Sequence, residues 1–184
     1  MILAIDPGNI DSAFVVLDKN LRPISFEKID NRHLLERIHA GEFSGCQHVA
    51  IEMIASYGMA VGKTVFDTCV WVGRFTEAVE QRYGKTASYI YRKEEKLNLC
   101  YSTKAKDGNV IQALIDRFAP DIPNKGKGSK KEPGWFYGFA KDVWQAYAVG
   151  VTYYDLYVQP LKNNIIKGDL YGELKEKESL RPSS

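Results

Sequence analysis

The chain has 184 residues, of which 45% are hydrophobic and 26% charged, and its formal net charge is +2. This length and composition predict a soluble globular protein and exclude a disordered or membrane-spanning chain, because no apolar run reaches the ~18 residues that cross a bilayer. Three cysteines without CxxC spacing argue against a disulfide framework or a zinc site. The N-terminus lacks the basic region and cleavage site of a signal peptide, so we expect a cytoplasmic protein.

Hydrophobic periodicity and turn residues predict an alternation of strands and helices. The bounds are strands at 2–6, 13–17 and 23–29, a helix from about 31 to 40, a strand at 49–54, a helix at 64–83, a strand at 87–91, helices at 93–100 and 108–118, and a last helix from about 139 to 156. The Pro-, Gly- and Lys-rich segment 120–138 is expected to be a mobile loop. We predict an α/β domain over 1–160, with a charged C-terminal tail at 161–184. Its mixed five-stranded sheet has three antiparallel strands followed by crossover-linked parallel strands and is flanked by helices.

Three acidic residues stand at positions where a carboxylate can serve chemistry. Asp6 ends the first strand before Pro-Gly, although an Asp there can also cap the turn. Glu52 lies in the apolar strand Val-Ala-Ile-Glu-Met-Ile, where a carboxylate is costly to bury unless it is paired, protonated or bound to a metal. The alternative is a Glu that faces solvent. Asp142 begins the last helix, where the helix dipole alone also favours an acid.

The three acids together support a metal-site hypothesis. The predicted topology sets the first strand beside the strand after the first helix, and the last helix packs over that pair. Three carboxylates from separate elements would then converge, which suits Mg²⁺ or Mn²⁺. Two such ions ~3.5–4 Å apart can assist phosphodiester hydrolysis. We therefore predict a metal-dependent nuclease.

The motifs Ile-Asp-Pro-Gly at 5–8, Ile-Glu at 51–52 and Asp-Val-Trp-Gln-Ala-Tyr-Ala at 142–148 resemble those of the RuvC-type Holliday junction resolvases of the RNase H-like superfamily. The order and spacing of the motifs match as well, so the resemblance covers roughly residues 1–155. It implies an RNase H-like fold and a homodimer that nicks two strands of a four-way DNA junction symmetrically. It also implies that Asp6, Glu52 and Asp142 are the catalytic metal ligands of a two-ion Mg²⁺ or Mn²⁺ site, in which Asp6 bridges both ions.

One position departs from the family pattern. The family has a further Asp three residues along the final helix, whereas this chain has Gln145. Gln145 could be a weaker neutral ligand, another group could complete the site, or the register could be shifted and the site degenerate. The substitution favours a divergent branch, such as the resolvase-like enzymes of bacterial viruses made in an infected bacterial cell.

Basic and aromatic residues suggest where DNA binds. Residues 92–141 contain 11 Lys and Arg against six Asp and Glu, and basic residues near aromatics suit phosphate contact and base stacking. In the family, the loop after the Glu52 position inserts an aromatic at the junction centre, and Tyr57 is the aromatic available in that loop here. The candidate nucleic-acid-binding residues are Tyr57, Lys63, Arg74, Arg92, Lys93, Lys96, Lys104 and Lys106.

The sequence also bears on several other functions. Gly62-Lys63-Thr64 resembles the end of a P-loop, but Gly58 and Gly62 enclose three residues where that motif needs four. An actin-like ATPase needs a second domain and a much longer chain. A nuclease of RNA–DNA hybrids or of other branched DNA remains open on the same fold. A junction-binding protein with a decayed catalytic site also remains open, and Gln145 is the best argument for it.

Overall fold

A computed structural model describes residues 1–56, 58 and 60–161. The strands are β1 (Ile2–Asp6), β2 (Asp11–Leu17), β3 (Pro23–Asp30), β4 (His48–Met53) and β5 (Ser88–Tyr91). The helices are α1 (Asn31–His39), α2 (Lys63–Tyr83), α3 (Arg92–Cys100), α4 (Asp107–Phe118) and α5 (Val143–Tyr153), and α5 continues into a π-helical segment, Tyr154–Val158. In this described part of the chain, no helix has the length and apolar character that crossing a membrane requires.

The five strands form one mixed sheet in the order β3-β2-β1-β4-β5. Strands β1, β2 and β3 are antiparallel neighbours, whereas β4 runs parallel to both β1 and β5. The predicted fold class, a five-stranded sheet that is first antiparallel and then parallel, is therefore confirmed. The parallel pairs form because α1 and α2 carry the chain back to the starting edge of the sheet before β4 and β5.

Alternation along the strands divides the core into two layers. Leu3 and Ile5 of β1 belong to the layer that contains buried side chains of α1 and α2. Ile2 and Ala4 belong to the opposite layer, with α4 and α5. Helix α5 is buried along almost its whole length, because it lies over the middle of the sheet. Asp6 continues the parity of Ala4, so its side chain belongs to the α5 face.

Two expectations near the last helix are corrected. The helix begins at Val143 rather than at Phe139, because Gly138 and Lys141 have positive φ angles of 84° and 42° that interrupt a helix. Phe139 is instead a buried core residue, and its ring contacts Phe26 at a centroid distance of 4.7 Å.

The segment 120–138 also differs from the mobile loop that its composition suggested. It folds back on itself through an isolated bridge between Gly128 and Pro133. The Phe136 N–H donates to the Gly126 carbonyl at 3.0 Å, and Phe136 is fully buried among core aromatics. Its backbone and its aromatic side chains therefore hold this segment on the α5 layer.

The predicted tail, residues 161–184, lies outside the described residues apart from Leu161, the last described residue of the helical run.

Candidate active site

Asp6 and Glu52 are brought together by the register of two parallel strands. Ile5 of β1 pairs with Ile51 of β4. The next residues along the two strands, Asp6 and Glu52, are therefore neighbours across the sheet. Neighbouring strands lie about 4.8 Å apart, and the two carboxyl groups are within hydrogen-bonding reach of each other. Both residues are partly buried. Glu52 is therefore not the solvent-facing residue of the alternative interpretation.

The environment of Asp6 favours its protonated form. Burial raises the pKa of Asp6 well above its ordinary value, and the neighbouring carboxyl group of Glu52 raises it further through charge repulsion and a hydrogen bond. Glu95 and Asp142 raise the same pKa by their negative charge. Carboxylates this close cannot all ionise without cost unless a cation compensates them.

The turn that follows Asp6 is held by a small buried network. The Ser12 hydroxyl donates to Asn31 Oδ1 at 2.5 Å and accepts from the Gly8 N–H at 3.2 Å, while Asn31 Nδ2 donates to the Gly8 carbonyl at 2.9 Å. A Cβ at Gly8 would lie 2.2 Å from the Asp11 carbonyl oxygen, so only glycine fits this turn. The network fixes the direction in which the chain leaves Asp6.

Asp142 lies at the N-terminus of α5, and its charge acts on Asp6. Its side chain makes no hydrogen bond that caps the helix, so it is not used as an ordinary N-cap. The carboxylate instead forms an ion pair with Lys28 of β3 at 2.6 Å. Both side chains are well exposed, so the pair contributes little to stability.

Gln145 lies three residues after Asp142, on the same face of α5. Its side-chain oxygen Oε1 is buried and has no hydrogen-bond partner in the described part of the chain. A buried acceptor without a partner is rare in folded proteins and calls for a ligand or a water molecule. An amide oxygen is one of the oxygen donors that hard cations accept.

A fourth acid, Glu95 of α3, was not among the predicted site residues. It is fully buried, and its charge acts on both Asp6 and Glu52. Burial is the main cause that raises the pKa of Glu95, although its ion pair with Arg92 opposes the rise. Glu95 lies in the charged stretch Arg-Lys-Glu-Glu-Lys, whose composition predicts a solvent-exposed helix surface. Its spacing of four residues from Leu99, which packs on the core, would have placed it on the inner face of the helix.

The acids do not yet form a complete cage. Within residues 1–56, 58 and 60–161, no three His, Cys, Asp or Glu side chains are arranged to hold one metal ion. Two of the acids are paired with cations instead: Asp142 with Lys28 and Glu95 with Arg92. The donor set itself fits a hard cation, since it combines several carboxylates with two buried oxygens, Glu95 Oε1 and Gln145 Oε1, that have no hydrogen-bond partner among the described residues.

The predicted DNA-binding residues separate into different environments. Arg92, Lys93 and Lys96 line one shallow cleft with Thr103, which we name the α3 basic cleft. Arg92 is engaged there by Glu95 and Asp107. The remaining candidates lie elsewhere: Lys104 and Lys106 are exposed between α3 and α4, Lys63 is exposed at the start of α2, and Arg74 stacks on Trp71 at 4.1 Å. Tyr57 lies outside the described residues.

Comparisons with known proteins agree on the fold. No protein-family model matches the sequence, and no curated protein matches it either. Among solved structures, RuvC of Thermus thermophilus matches with a TM-score of 0.57 at 15% identity, covering 83% of this chain and 92% of the other. T. thermophilus RuvC in complex with a Holliday junction substrate gives a TM-score of 0.57 at 16% identity, with 83% and 91% covered.

A viral structure is also similar. Fowlpox virus resolvase in a complex with Holliday junction DNA matches with a TM-score of 0.51 at 13% identity, covering 83% of this chain and 97% of the other. The identities are low, so these likenesses show the fold rather than the activity. The predicted RNase H-like fold is thus confirmed: the chain shares the fold of these RuvC and resolvase structures.

Proposed function

We propose that this protein is a metal-dependent endonuclease that resolves four-way DNA junctions by paired symmetric nicking. The observation that carries the proposal is the position of Asp6 and Glu52, side by side on the two central parallel strands, with Asp142 on the helix that covers them. An α/β sheet places its chemistry at the carboxyl ends of such strands. The likeness to junction-bound resolvases supports the choice of substrate.

The residues that would hold the ions are Asp6, Glu52 and Asp142, with Gln145 as a neutral ligand. Two bound Mg²⁺ or Mn²⁺ ions would supply charge stabilisation and an activated nucleophile for phosphodiester hydrolysis. The protein's own part is to fix the geometry. The Gly8–Ser12–Asn31 network orients the turn after Asp6, and the burial of α5 fixes the backbone of Asp142 and Gln145.

Phosphate contacts would come from the basic residues around the acids. Lys28 has its ammonium group 2.6 Å from the Asp142 carboxylate, which places it beside the proposed site. If Asp142 binds a metal ion, the ammonium group could bind a phosphate oxygen instead. Lys93 and Lys96 of the α3 basic cleft follow directly from the strand beside Glu52. Lysine contacts of this kind position the backbone of DNA without reading its sequence.

A homodimer would place two such sites on one junction. Helix α2 exposes Phe66 and Val70, each 61% accessible and one helical turn apart, with Cys69 exposed between them. The opposite side of the same helix is buried in the core through Val72 and Phe75. Large apolar side chains that are exposed next to each other often mark a surface that binds another protein. We therefore assign the dimer interface to this face of α2.

A second candidate function is a junction-binding protein that does not cut. The neutral Gln145 and the ion pair between Asp142 and Lys28 favour it, since both weaken the charge available to a metal. Nucleases of other branched DNA, or of RNA–DNA hybrids, share the same site chemistry and differ only in substrate. Cleavage assays separate all three.

The decisive experiment is strand cleavage of a synthetic four-way junction, with linear duplex, Y-fork and RNA–DNA hybrid as controls, in Mg²⁺, Mn²⁺ or chelator. We expect paired symmetric nicks that are confined to the junction and abolished by chelator. Asp6→Asn should reduce cleavage by at least about 10³-fold while junction binding is kept or tightened, because the substitution removes repulsion between the carboxylate and phosphate. Asp121→Asn serves as the matched control, because it changes an exposed acid in the segment 120–138.

The alternative outcomes point to different conclusions. Cutting of forks or hybrids in preference to junctions would keep the metal site and change the substrate. Tight junction binding without cleavage in either metal would favour the binding protein. Normal cleavage by Asp6→Asn would show that the site assignment is wrong.

A further inference from the structure

Glu95 is unusual among the charged residues of this chain because its side chain has no exposure to solvent. It lies in the first turn of α3, which follows directly from β5, and β5 pairs with the strand that carries Glu52. A fully buried carboxylate is rare in globular proteins unless it has specific partners. Its position brings a fourth negative charge to the neighbourhood of Asp6 and Glu52.

Within the described part of the chain, only one of the two Glu95 carboxylate oxygens has a hydrogen-bond partner. Glu95 Oε2 accepts a hydrogen bond from Arg92 Nη1 at 2.5 Å, whereas Oε1 is buried and has no hydrogen-bond partner among the described residues. A purely structural Glu–Arg pair would be expected to satisfy both oxygens, since a bare carboxylate oxygen in the interior is costly. The free oxygen belongs to the residue whose charge acts on Asp6 and Glu52.

Arg92 has the geometry of a clamp on this residue. Its Nη2 donates to Asp107 Oδ1 at 2.5 Å, so the guanidinium joins the start of α3 to the start of α4. The Asp107 partner is well exposed, unlike Glu95. The clamp holds Glu95 by one oxygen and leaves the other one available. In this arrangement Arg92 is a positioning residue, rather than the phosphate contact that the sequence suggested.

We propose that Glu95 is a fourth acidic ligand of the catalytic metal site, which it would bind through Oε1 while Arg92 holds Oε2. The inference rests on the proposed nuclease function and deepens it. It also explains how a site with Gln145 on the last helix keeps its charge: the fourth carboxylate comes from α3 instead of α5. Metal ligands are commonly oriented by a hydrogen bond from an outer group, and Arg92 supplies that bond here.

The test is Mn²⁺ binding measured by isothermal titration calorimetry on the full chain without DNA. We expect Glu95→Gln, which keeps the size of the side chain and an oxygen for Arg92, to weaken Mn²⁺ binding by at least about tenfold. Glu95→Asp keeps the charge and should bind Mn²⁺ more tightly than Glu95→Gln. The matched control is Asp107→Asn, which removes a charge from the same Arg92 clamp but should change the affinity by less than about threefold. Circular dichroism verifies that each variant is folded.

The outcomes separate this inference from the proposed function. Equal Mn²⁺ affinity of the wild type and a folded Glu95→Gln variant would overturn the role of Glu95 and leave the nuclease proposal standing. Equal losses in Glu95→Gln and Asp107→Asn would show that the residue acts only through the structure of the clamp. Metal binding that depends on Glu95, in a wild type that does not cleave junctions, would uphold the ligand and reject the nuclease. A wild type that binds no Mn²⁺ would overturn both.

Discussion

Gly150 sets the distance between the last helix and the sheet, and its substitution tests how the site is built. A Cβ at this position would lie 2.5 Å from Leu17 Cδ1 and 3.0 Å from Ala4 Cβ. Both neighbours are fully buried strand residues, on β2 and β1. The Leu17 side chain can avoid the new methyl group by changing its rotamer. The Ala4 Cβ cannot, so this contact is relieved only if the backbones of α5 and β1 move apart. Gly150→Ala should therefore lift α5 slightly away from β1.

The expected cost follows from two opposing effects. Overpacking a core by one methyl group costs about 1–3 kcal/mol, while replacing glycine by alanine inside a helix contributes about 1 kcal/mol of stability. The net result is a destabilisation of roughly 0–2 kcal/mol. Gly108→Ala in α4 is the control, because a Cβ there meets nothing within 4 Å and the variant should be up to about 1 kcal/mol more stable than the wild type.

Urea denaturation followed by circular dichroism measures both variants. Leu17→Ala alone should cost about 2–5 kcal/mol, but in combination with Gly150→Ala the total should fall short of the sum, because the shortened side chain makes room for the new methyl group. The same helix carries Asp142 and Gln145. Displacement by a fraction of an ångström should lower the rate of junction cleavage up to about 10²-fold, with little change in junction binding. Equal stabilisation by Gly150→Ala and Gly108→Ala, or strict additivity in the double variant, would contradict a close contact between α5 and β1 at Gly150.

Two further predictions concern the acid pair and the dimer. Because the pKa of Asp6 is raised in the folded state, the folded protein binds a proton more tightly than the unfolded chain, so stability falls as pH rises above about 4, the unfolded value. In chelator at pH 7, Asp6→Asn should be more stable than the wild type, and the advantage should disappear below about pH 4. Denaturation curves measured from about pH 3.5 to 8 test this, and a stability gap that stays constant with pH would contradict it. On α2, Phe66→Ser with Val70→Ser should convert a dimer into a folded monomer in sedimentation analysis, whereas Cys69→Ser should leave it dimeric. A wild type that is monomeric at micromolar concentration would remove α2 from the proposal.

Much of the fold was predictable because its signals are local. Two short apolar runs and the turn at Pro7-Gly8 marked β1 and β2. Gly84 marked the end of α2, where its φ of 62° closes the helix. The order of strands and helices then limits the topology to few arrangements, which is why the mixed sheet was predicted correctly. The last helix was predicted to start too early, because Phe139 has helical spacing but its burial comes from packing on Phe26 and not from a helix.

The sequence by itself determined which elements form and which three acids were candidates, since Asp6, Glu52 and Asp142 each stand beside a local signal in the chain. Only the tertiary structure decided how those acids are arranged. The register of β1 and β4 sets Asp6 against Glu52, and Asp142 turns to Lys28, 114 positions away in the chain. Glu95 was identified only once α3 was seen to bury it. Its spacing from Leu99 is compatible with the inner face of the helix, but a charged residue in a charged stretch is far more often solvated than buried. Electrostatic coupling depends on distance in space, and periodicity along the chain does not record that distance.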